Sequence, residues 1–409
     1  MKPHGPIPSG FAADTDGMLL IGGQRADELA EDAGDTPLFV YDSKLLTARV
    51  AEWRAAMPPE LQLHYAMKAN PYGPLLGHMA MMVDGLDVAS GGELKAARTS
   101  GMATGHISFA GPGKRDRELE MAIKCGATLN LESAGEAERA LAIAARLGAV
   151  PRLAVRVNPD FDLKGSGMKM GGGAKPFGVD AAEVPALVKR LLDAGADWQG
   201  FHIFAGSQAL DAGAIAETQA QTVALAARLA NEIGAVPPLV NLGGGMGVPY
   251  FPGDKAVDAR AVGDALGATL GARDPILGAS RFAMELGRWL VAEAGVYLTR
   301  IVDRKTSHGE TFLVTDGGLH HQLAASGNFG TVIRRNYPIA LANRFGAEPA
   351  ETVSVVGCLC TPLDRLGDQV ALPRGDVGDL IAIFQAGAYG ASASPSSFLG
   401  QGPAREMLV

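Results

Sequence analysis

Short apolar runs alternate with longer amphipathic stretches through the middle of the chain. A short apolar run is typical of a buried strand, and apolar residues spaced three or four apart are typical of a helix. The pattern predicts strands over residues 61–67, 85–89, 107–110, 127–131, 152–157, 200–204, 239–242 and 281–285. It predicts helices over residues 45–57, 73–83, 92–100, 115–125, 133–147, 181–194, 210–233 and 258–270, with Ser43 capping the first.

Eight strand–helix units in about 240 residues favour a (β/α)8 barrel over an open sheet. After residue 285 the pattern becomes β-rich, with apolar runs over 291–305, 311–315, 352–356 and 379–384. We therefore predict an α/β plus β fold: a TIM-like barrel over residues 44–285, and a second, mainly antiparallel β-barrel domain built from 1–43 and 286–409. The glycine-dense segment 165–173 carries no strand or helix signal; a mobile loop near the site and a surface excursion both remain open.

Composition narrows the class of protein. The 409 residues carry a net charge of −8, so no basic face for nucleic acid is expected. Three cysteines are too few for a disulfide framework and indicate a reducing compartment. Since the chain has no signal-peptide core and no run of about 18 apolar residues, we expect a cytoplasmic protein without a membrane span. Cys358 and Cys360 lack a second ligand pair, so no metal site is predicted.

Several polar residues directly follow predicted strands. In a barrel the carboxyl ends of the strands meet at one mouth, where catalytic groups gather. These residues are therefore expected to converge there: Lys68, Asp87, Arg156, Ser207, Gly243, Gly244, Gly245 and Glu285.

Three of these features indicate a chemistry, each with a plainer alternative. A lysine at a buried strand end has a lowered pKa and can form a Schiff base, although Lys68 could equally extend into water. The glycines at 243–245 could cradle a phosphate or simply form a turn. Glu285 could keep a pyridine nitrogen protonated while Arg288 meets a phosphate or carboxylate, or the two could form a structural ion pair.

Taken together and in order, eight motifs resemble the fold-type III decarboxylases that depend on pyridoxal 5'-phosphate (PLP), the group of diaminopimelate and ornithine decarboxylases. Each motif is modest alone, but together they extend over nearly the whole chain. They are residues 65–70 (YAMKAN), 87–93, 156–159, 206–208, 243–245, 285–288, Cys360 with Asp364, and 387–390.

The resemblance implies a role for each matched residue. Lys68 would carry the Schiff base, Glu285 would face the pyridine nitrogen, and Cys360 would enter from a partner subunit to protonate the substrate carbon. The family usually forms a homodimer with two shared active sites. The implied phosphate ligands are Ser207, Gly243, Gly244, Gly245, Arg288 and Tyr389. The cofactor motifs also include Asp87, Arg156 and Gly287. The residues assigned to the substrate are Arg288, Thr361, Asp364 and Tyr389.

Two departures from the family pattern matter. Phe204 stands where a histidine usually stacks on the cofactor ring, and His202, two residues earlier, is expected on the other side of the strand. Thr361 replaces the acidic residue that faces the distal amine in the diamino-acid decarboxylases, which argues against lysine, ornithine and free diaminopimelate.

Three segments indicate the class of substrate, residues 326–330, 334–337 and 360–364. They look like the subgroup associated with exosortase and exopolysaccharide gene clusters, and like the decarboxylase of glutamyl groups held on an acyl carrier protein. Arg334 or Arg335 would then meet a carboxylate or the phosphopantetheine of the carrier, or lie in a solvated turn.

The resulting expectation is a PLP-dependent carboxy-lyase that acts on an amino acid or an aminoacyl group, free or carrier-bound. Two alternatives use the same scaffold, a diaminopimelate-type decarboxylase and an amino-acid racemase. Related alanine racemases place an arginine at the pyridine nitrogen, so Glu285 weighs against racemisation. A PLP-binding protein without catalysis is a third alternative, and the predicted β domain and Cys360 weigh against it.

Overall fold

The computed structural model describes residues 1–165, 167–327 and 335–409, which divide into two compact units. The barrel unit comprises Val50–Gly247 and Val257–Gly287, and the β unit comprises Met1–Arg49, Val248–Ala256 and Arg288–Val409. The domain bounds predicted from the sequence, residues 44–285 for the barrel and the flanking residues for the β domain, stay a prediction. They place Val248–Ala256 in the barrel, whereas the contacts of this segment group it with the β unit.

The barrel unit contains a closed barrel of eight parallel strands. Each strand pairs with two neighbours, and the ring closes where Leu286 of the last strand pairs with Tyr65 of the first. This confirms the predicted (β/α)8 architecture. The strands are Gln62–Ala66, Gly85–Val88, Ile107–Phe109, Thr128–Leu131, Arg152–Asn158, Asp197–Ile203, Leu239–Asn241 and Arg281–Leu286; Met168–Lys169, Val179–Asp180 and Gly206–Ser207 are short additional strands.

The helices between the strands begin and end at residues that favour helix termini. The Ser90 and Ser133 hydroxyls accept hydrogen bonds from the third residue of the helices they precede, and Gly126 and Gly148 end helices in the left-handed conformation. The predicted Ser43 cap is wrong, because the Asp42 carboxylate accepts hydrogen bonds from the backbone amides of Lys44 and Leu45. The helices are Ser43–Ala56, Gly73–Ala80, Gly91–Thr99, Asp116–Cys125, Ala134–Leu147, Val184–Asp193, Ala212–Ile233 and Ala259–Gly271.

The β unit is built around one long strand, Gly295–Ser307. It pairs antiparallel with Leu38–Tyr41, Leu380–Phe384 and Glu310–Thr315, so the N-terminal segment joins this sheet as predicted. The sheet is mainly antiparallel, with two parallel pairs. Its other strands are Ile339–Leu341, Glu351–Val356, Arg365–Leu372 and Arg405–Leu408; Ala12–Ala13, Leu19–Ile21 and Gln24–Arg25 form a small separate sheet, and the helices are Ala26–Asp32 and Arg288–Val291.

The core of the β unit forms where these strands and the N-terminal segment meet. Leu19, Val40, Leu298 and Phe384 are among its fully or almost fully buried apolar side chains. Among the described residues, no helix has the length and apolar character needed to cross a bilayer.

Candidate active site

Lys68 lies on the turn that directly follows the first barrel strand. A short 3-10 turn, Met67–Ala69, carries it away from the strand end. Its Nζ lies 3.9 Å from Glu285 Oε1 and 5.6 Å from the centre of the Phe204 ring. The side chain is 45% exposed, so of the two arrangements that the sequence left open, Lys68 extends toward water. The amine is therefore open to solutes while it faces a carboxylate.

Glu285 lies at the end of the last barrel strand, in register with His64 of the first. Its side chain is 6% exposed and its Oε2 accepts a hydrogen bond from His202 Nε2 at 2.7 Å. Burial raises the pKa of the Glu285 carboxyl group. The His202 hydrogen bond, together with the charges of His202, Lys68 and Arg156, outweighs burial and lowers the pKa to about 2. Glu285 is therefore a buried carboxylate that stays ionised.

His202 is a further candidate residue of the site, and its side chain lies on a different face from the one expected from the sequence. The His202 and Phe204 rings stack with centroids 6.4 Å apart, so both lie on the same side of the chain. Residues two apart in a strand share a face, and the expectation that His202 points the other way is wrong for that reason. The same period of two, correctly applied, would have found it from Phe204.

The three glycines Gly243, Gly244 and Gly245 form a loop that approaches the last strand closely. Gly243 O accepts a hydrogen bond from Glu285 N at 2.8 Å, and Gly243 and Gly245 have φ values of 70° and 112°. A Cβ on Gly244 would lie 2.0 Å from the Glu285 carbonyl oxygen. Only glycine fits at position 244, and the Gly243 amide donates to Asn241 Oδ1 at 2.9 Å.

Ser207 is half-buried in a two-residue strand, Gly206–Ser207, that pairs with Met168–Lys169. The glycine-dense segment around Met168 is therefore held to the backbone beside Ser207. This short strand had no signal in the sequence, and the choice between a mobile loop near the site and a surface excursion stays open; Ser166 lies outside the described residues.

Asp87 and Arg156 are both buried in the barrel, and both face other side chains. Asp87 Oδ2 lies 3.5 Å from His64 Nδ1. Burial lowers the pKa of His64, but the carboxylates of Asp87, Glu285 and Asp84 raise it above its ordinary value. Arg156 NH1 donates to Glu132 Oε1 at 2.9 Å. These contacts give both residues a structural role, and their part in cofactor binding stays a prediction.

Gly287 packs against the turn that carries Lys68. A Cβ at this position would lie 3.0 Å from both the Ala66 carbonyl oxygen and the Ala69 Cβ. A larger residue would therefore displace that turn and change the position of the amine.

In the β unit, Arg288 and Tyr389 lie together. Arg288 Cζ is 4.7 Å from the centre of the Tyr389 ring, and Arg288 NH1 donates to the Tyr250 hydroxyl at 3.0 Å. Burial raises the pKa of Tyr250, so this partner is a neutral phenol. Tyr250 had no sequence signal, because it belongs to a segment without strand or helix pattern. The cluster offers a fixed cation with aromatic neighbours.

The residues assigned to the substrate also lie in the β unit. Cys360 is exposed and Thr361 is half-buried. Asp364 is buried, and its carboxylate accepts hydrogen bonds from the backbone amides of Leu319 at 2.7 Å and Leu359 at 2.9 Å. Burial raises the pKa of Asp364, and the two amides act against that rise. Asp364 thus joins two loops, and its proximity to substrate stays a prediction.

Arg335 is exposed, with its guanidinium carbon 3.8 Å from the centre of the Phe251 ring. This contact orders the arginine within the β unit, and its role toward a substrate is untested. Arg334 lies outside the described residues. Across the described parts of the chain, the three cysteines are free and no group of His, Cys, Asp or Glu residues is arranged to hold a metal ion.

Comparison with known proteins gives one family match and close relatives of nearly full length. The family described as pyridoxal-dependent decarboxylase, pyridoxal binding domain, matches residues 43–292. The L-glutamyl-[BtrI acyl-carrier protein] decarboxylase of Niallia circulans is 37% identical over 91% of this chain and 89% of its own length. The diaminopimelate decarboxylase of Archaeoglobus fulgidus is 31% identical, over 97% and 92% respectively.

Among solved structures, diaminopimelate decarboxylase from M. jannaschii in complex with L-lysine matches with a TM-score of 0.88. Its sequence identity is 27%, and the match covers 98% of this chain and 93% of that one.

Proposed function

This chain belongs to the pyridoxal-dependent decarboxylases, and from that premise we propose that it removes the α-carboxyl group of a glutamyl-like residue carried on an acyl carrier protein. It is a PLP-dependent carboxy-lyase. The observation that carries the proposal is the exposed Lys68 amine beside the buried, ionised Glu285. The carrier-bound substrate is supported by the relative from Niallia circulans, whose name specifies that substrate class.

The residues of the barrel unit fit PLP by their chemistry. The cofactor needs an amine for its aldehyde, a carboxylate for its pyridine nitrogen, a flat surface for its ring and N–H donors for its phosphate. Lys68, Glu285 and Phe204 are proposed for the first three needs, since Glu285 Oε1 and the centre of the Phe204 ring both lie within 6 Å of Lys68 Nζ. The loop of Gly243, Gly244 and Gly245 is proposed for the fourth, because glycines carry no side chain that would keep a phosphate away from the backbone.

When bound, PLP supplies an aldehyde that combines with amines and a pyridinium ring that accepts electrons from the bond that breaks. Lys68 would hold the aldehyde. Glu285, whose lowered pKa keeps it ionised, would hold a proton at the pyridine nitrogen, and His202 would hold the carboxylate in place. Ser207 and the three glycines are proposed for the phosphate, with Asp87, Arg156 and Gly287 supporting the site around them.

In the β unit we assign Arg288 and Tyr389 to the phosphate and substrate, on the family motif and on their mutual contact. Cys360 is proposed to return a proton to the substrate carbon after CO2 leaves. Its exposure allows a thiol to meet a substrate held by a second subunit. We therefore propose a homodimer with shared sites, on the basis of the family resemblance.

Thr361 separates the two candidate substrates. A diamino acid carries a distal ammonium that needs a carboxylate partner, and Thr361 offers a neutral hydroxyl instead. A thioester-linked glutamyl group has no distal ammonium, so Thr361 suits it. Diaminopimelate decarboxylation is the second candidate, since relatives and structures with that activity match nearly the whole chain.

Arg335 is proposed to meet the substrate's carboxylate or the carrier's phosphopantetheine, with Arg334 as its neighbour in sequence. The free cysteines support a cytoplasmic setting. An exopolysaccharide pathway is proposed on the sequence resemblance alone.

The cofactor assignment is tested by borohydride reduction of the PLP-loaded protein and mass spectrometry of its peptides. We expect the cofactor mass on the peptide containing Lys68, and loss of the visible absorption band in Lys68→Ala. Lys255→Ala, at an exposed lysine elsewhere, should keep both signals. Cofactor attached to another lysine in the wild-type protein would contradict the assignment.

The substrate assignment is tested by release of labelled CO2 from glutamyl-carrier protein, free glutamate and meso-diaminopimelate. We expect kcat/KM to be highest for the carrier-bound substrate. Preference for diaminopimelate would replace the proposal with the second candidate.

A further inference from the structure

Two neighbouring helices on the barrel wall, Gly91–Thr99 and Asp116–Cys125, enclose a continuous surface groove. Met121 lines both halves of this groove and gives it an apolar element. We call it the basic groove because its other principal side chains are Lys95, Arg98, Arg115, Arg117 and Lys124.

The positive charge of the basic groove is only partly compensated. Of its two carboxylates, Glu118 pairs with Arg115 at 2.9 Å, and Glu120 pairs with Lys124 and with an arginine outside the groove. Two carboxylates thus balance two of the five cations.

The other three cations, Lys95, Arg98 and Arg117, are all exposed. Among the residues that the structure describes, none of them has a carboxylate within ion-pair distance. Three unbalanced cations in one groove, on a chain of net charge −8, create a local field that attracts an acidic partner.

The basic groove begins at the same end of the barrel as Lys68, because Ala66 of the first strand pairs with Asp87 of the second and both segments leave the barrel just after this pair. Its first helix follows the second barrel strand, and the Glu93 carboxylate in its first turn accepts a hydrogen bond from Ala89 N at 2.6 Å. Burial raises the pKa of Glu93, and the charge of Lys68 acts against that rise. From Gly91 to Arg98 the helix runs about 10 Å. A partner seated in the groove therefore lies within a short flexible arm of Lys68.

We propose that the basic groove is the docking surface for the carrier protein, whose complementary surface is rich in Asp and Glu. This inference rests on the proposed function, because only a carrier-bound substrate requires a protein partner. Exposed charges at the edge of an interface mainly steer association and set its salt dependence. Met121 supplies an apolar contact between the helices.

The test measures KM for the glutamyl-carrier protein with the holoenzyme of the double variant Lys95→Glu/Arg117→Glu. The matched control is Lys189→Glu/Arg260→Glu, which reverses two exposed cations on other barrel helices. Since each reversal removes an attraction and adds a repulsion, we expect about a tenfold rise in KM for the groove variant, unchanged kcat, and little change for the control. Added salt should raise KM of the wild-type enzyme and narrow the difference.

A second substrate, the glutamyl thioester of pantetheine without the carrier, distinguishes a defect in docking from a defect in folding or catalysis. We expect the groove variant to match the wild type on this substrate. Equal KM for the carrier substrate in groove and control variants would overturn the docking inference while the proposed function stands. Equal loss on both thioesters would also overturn it. If the wild-type enzyme releases no CO2 from the carrier substrate, the proposed substrate fails and the docking inference fails with it.

Discussion

Replacing His202 with phenylalanine removes the hydrogen bond to Glu285 and retains a flat ring beside Phe204. The carboxylate would then be buried with its 2.7 Å donor missing. A Glu285 pKa of about 2, against an ordinary value of 4.5, corresponds to about 3 kcal/mol of stability at neutral pH, and the His202 hydrogen bond makes the largest favourable contribution to it. Hydrogen bonds to buried charged groups contribute about 1.5–3 kcal/mol. We therefore expect the cofactor-free variant to lose about 2–3 kcal/mol of unfolding free energy.

The assay is urea unfolding followed by tryptophan fluorescence in a Trp289→Phe background, so that Trp53 and Trp198 report on the barrel unit alone. His202→Gln, which can still donate an N–H, should recover part of the loss. Equal losses in the Phe and Gln variants would refute the reasoning, because the effect would then come from packing.

The pH dependence provides an independent check on the same hydrogen bond. The folded-state pKa of Glu285 lies below its unfolded value, so its contribution is complete above about pH 4.5 and is lost as the pH falls toward about 2. The wild-type unfolding free energy should fall more steeply over this range than that of His202→Phe. Identical slopes would show that Glu285 and His202 are not coupled.

Three further predictions concern other parts of the chain. Gly244→Ala should weaken PLP retention about tenfold, because the new Cβ would lie 2.0 Å from the Glu285 carbonyl oxygen. Retention is measured by absorbance after gel filtration. Gly267→Ala is the control and should retain PLP, because a Cβ there makes only ordinary contacts. Cys360→Ser should lower kcat for CO2 release without changing PLP absorbance, because a hydroxyl is a far weaker acid than a thiol. An unchanged kcat would exclude Cys360 as the proton donor. Lys114→Met should destabilise the protein by about 3–5 kcal/mol in thermal unfolding, because the buried Glu136 carboxylate loses the Lys114 ammonium that lies 2.7 Å away. Adding Glu136→Leu to the same chain should restore most of the lost stability.

The fold could be predicted in detail because its information is local. The alternation of apolar runs and amphipathic stretches acts within a few residues, and it predicted the bounds of eight barrel strands to within about two residues, except for the start of the sixth. In the β unit, Arg365–Leu372 was missed because Gly367 and Asp368 interrupt its apolar pattern. The Ser43 cap failed for a local reason as well, since Asp42 is an equally good cap one residue earlier.

The candidate site was predicted less completely. Polar residues at strand ends were expected to converge, and the structure brings Lys68, Glu285 and Phe204 together. Which groups contact each other depends on register between strands far apart in sequence. His202 and Glu285 are 83 residues apart, and their hydrogen bond exists because barrel closure sets both side chains facing each other.

The sequence by itself therefore determined the elements, their order, the family and the residue types available for chemistry. Only the tertiary structure decided that Lys68 is half-exposed, that Gly244 must be glycine, and that Asp364 binds two backbone amides. The reason is physical: propensity and capping are properties of neighbouring residues, whereas exposure, close approach and hydrogen bonding depend on which distant segments pack together.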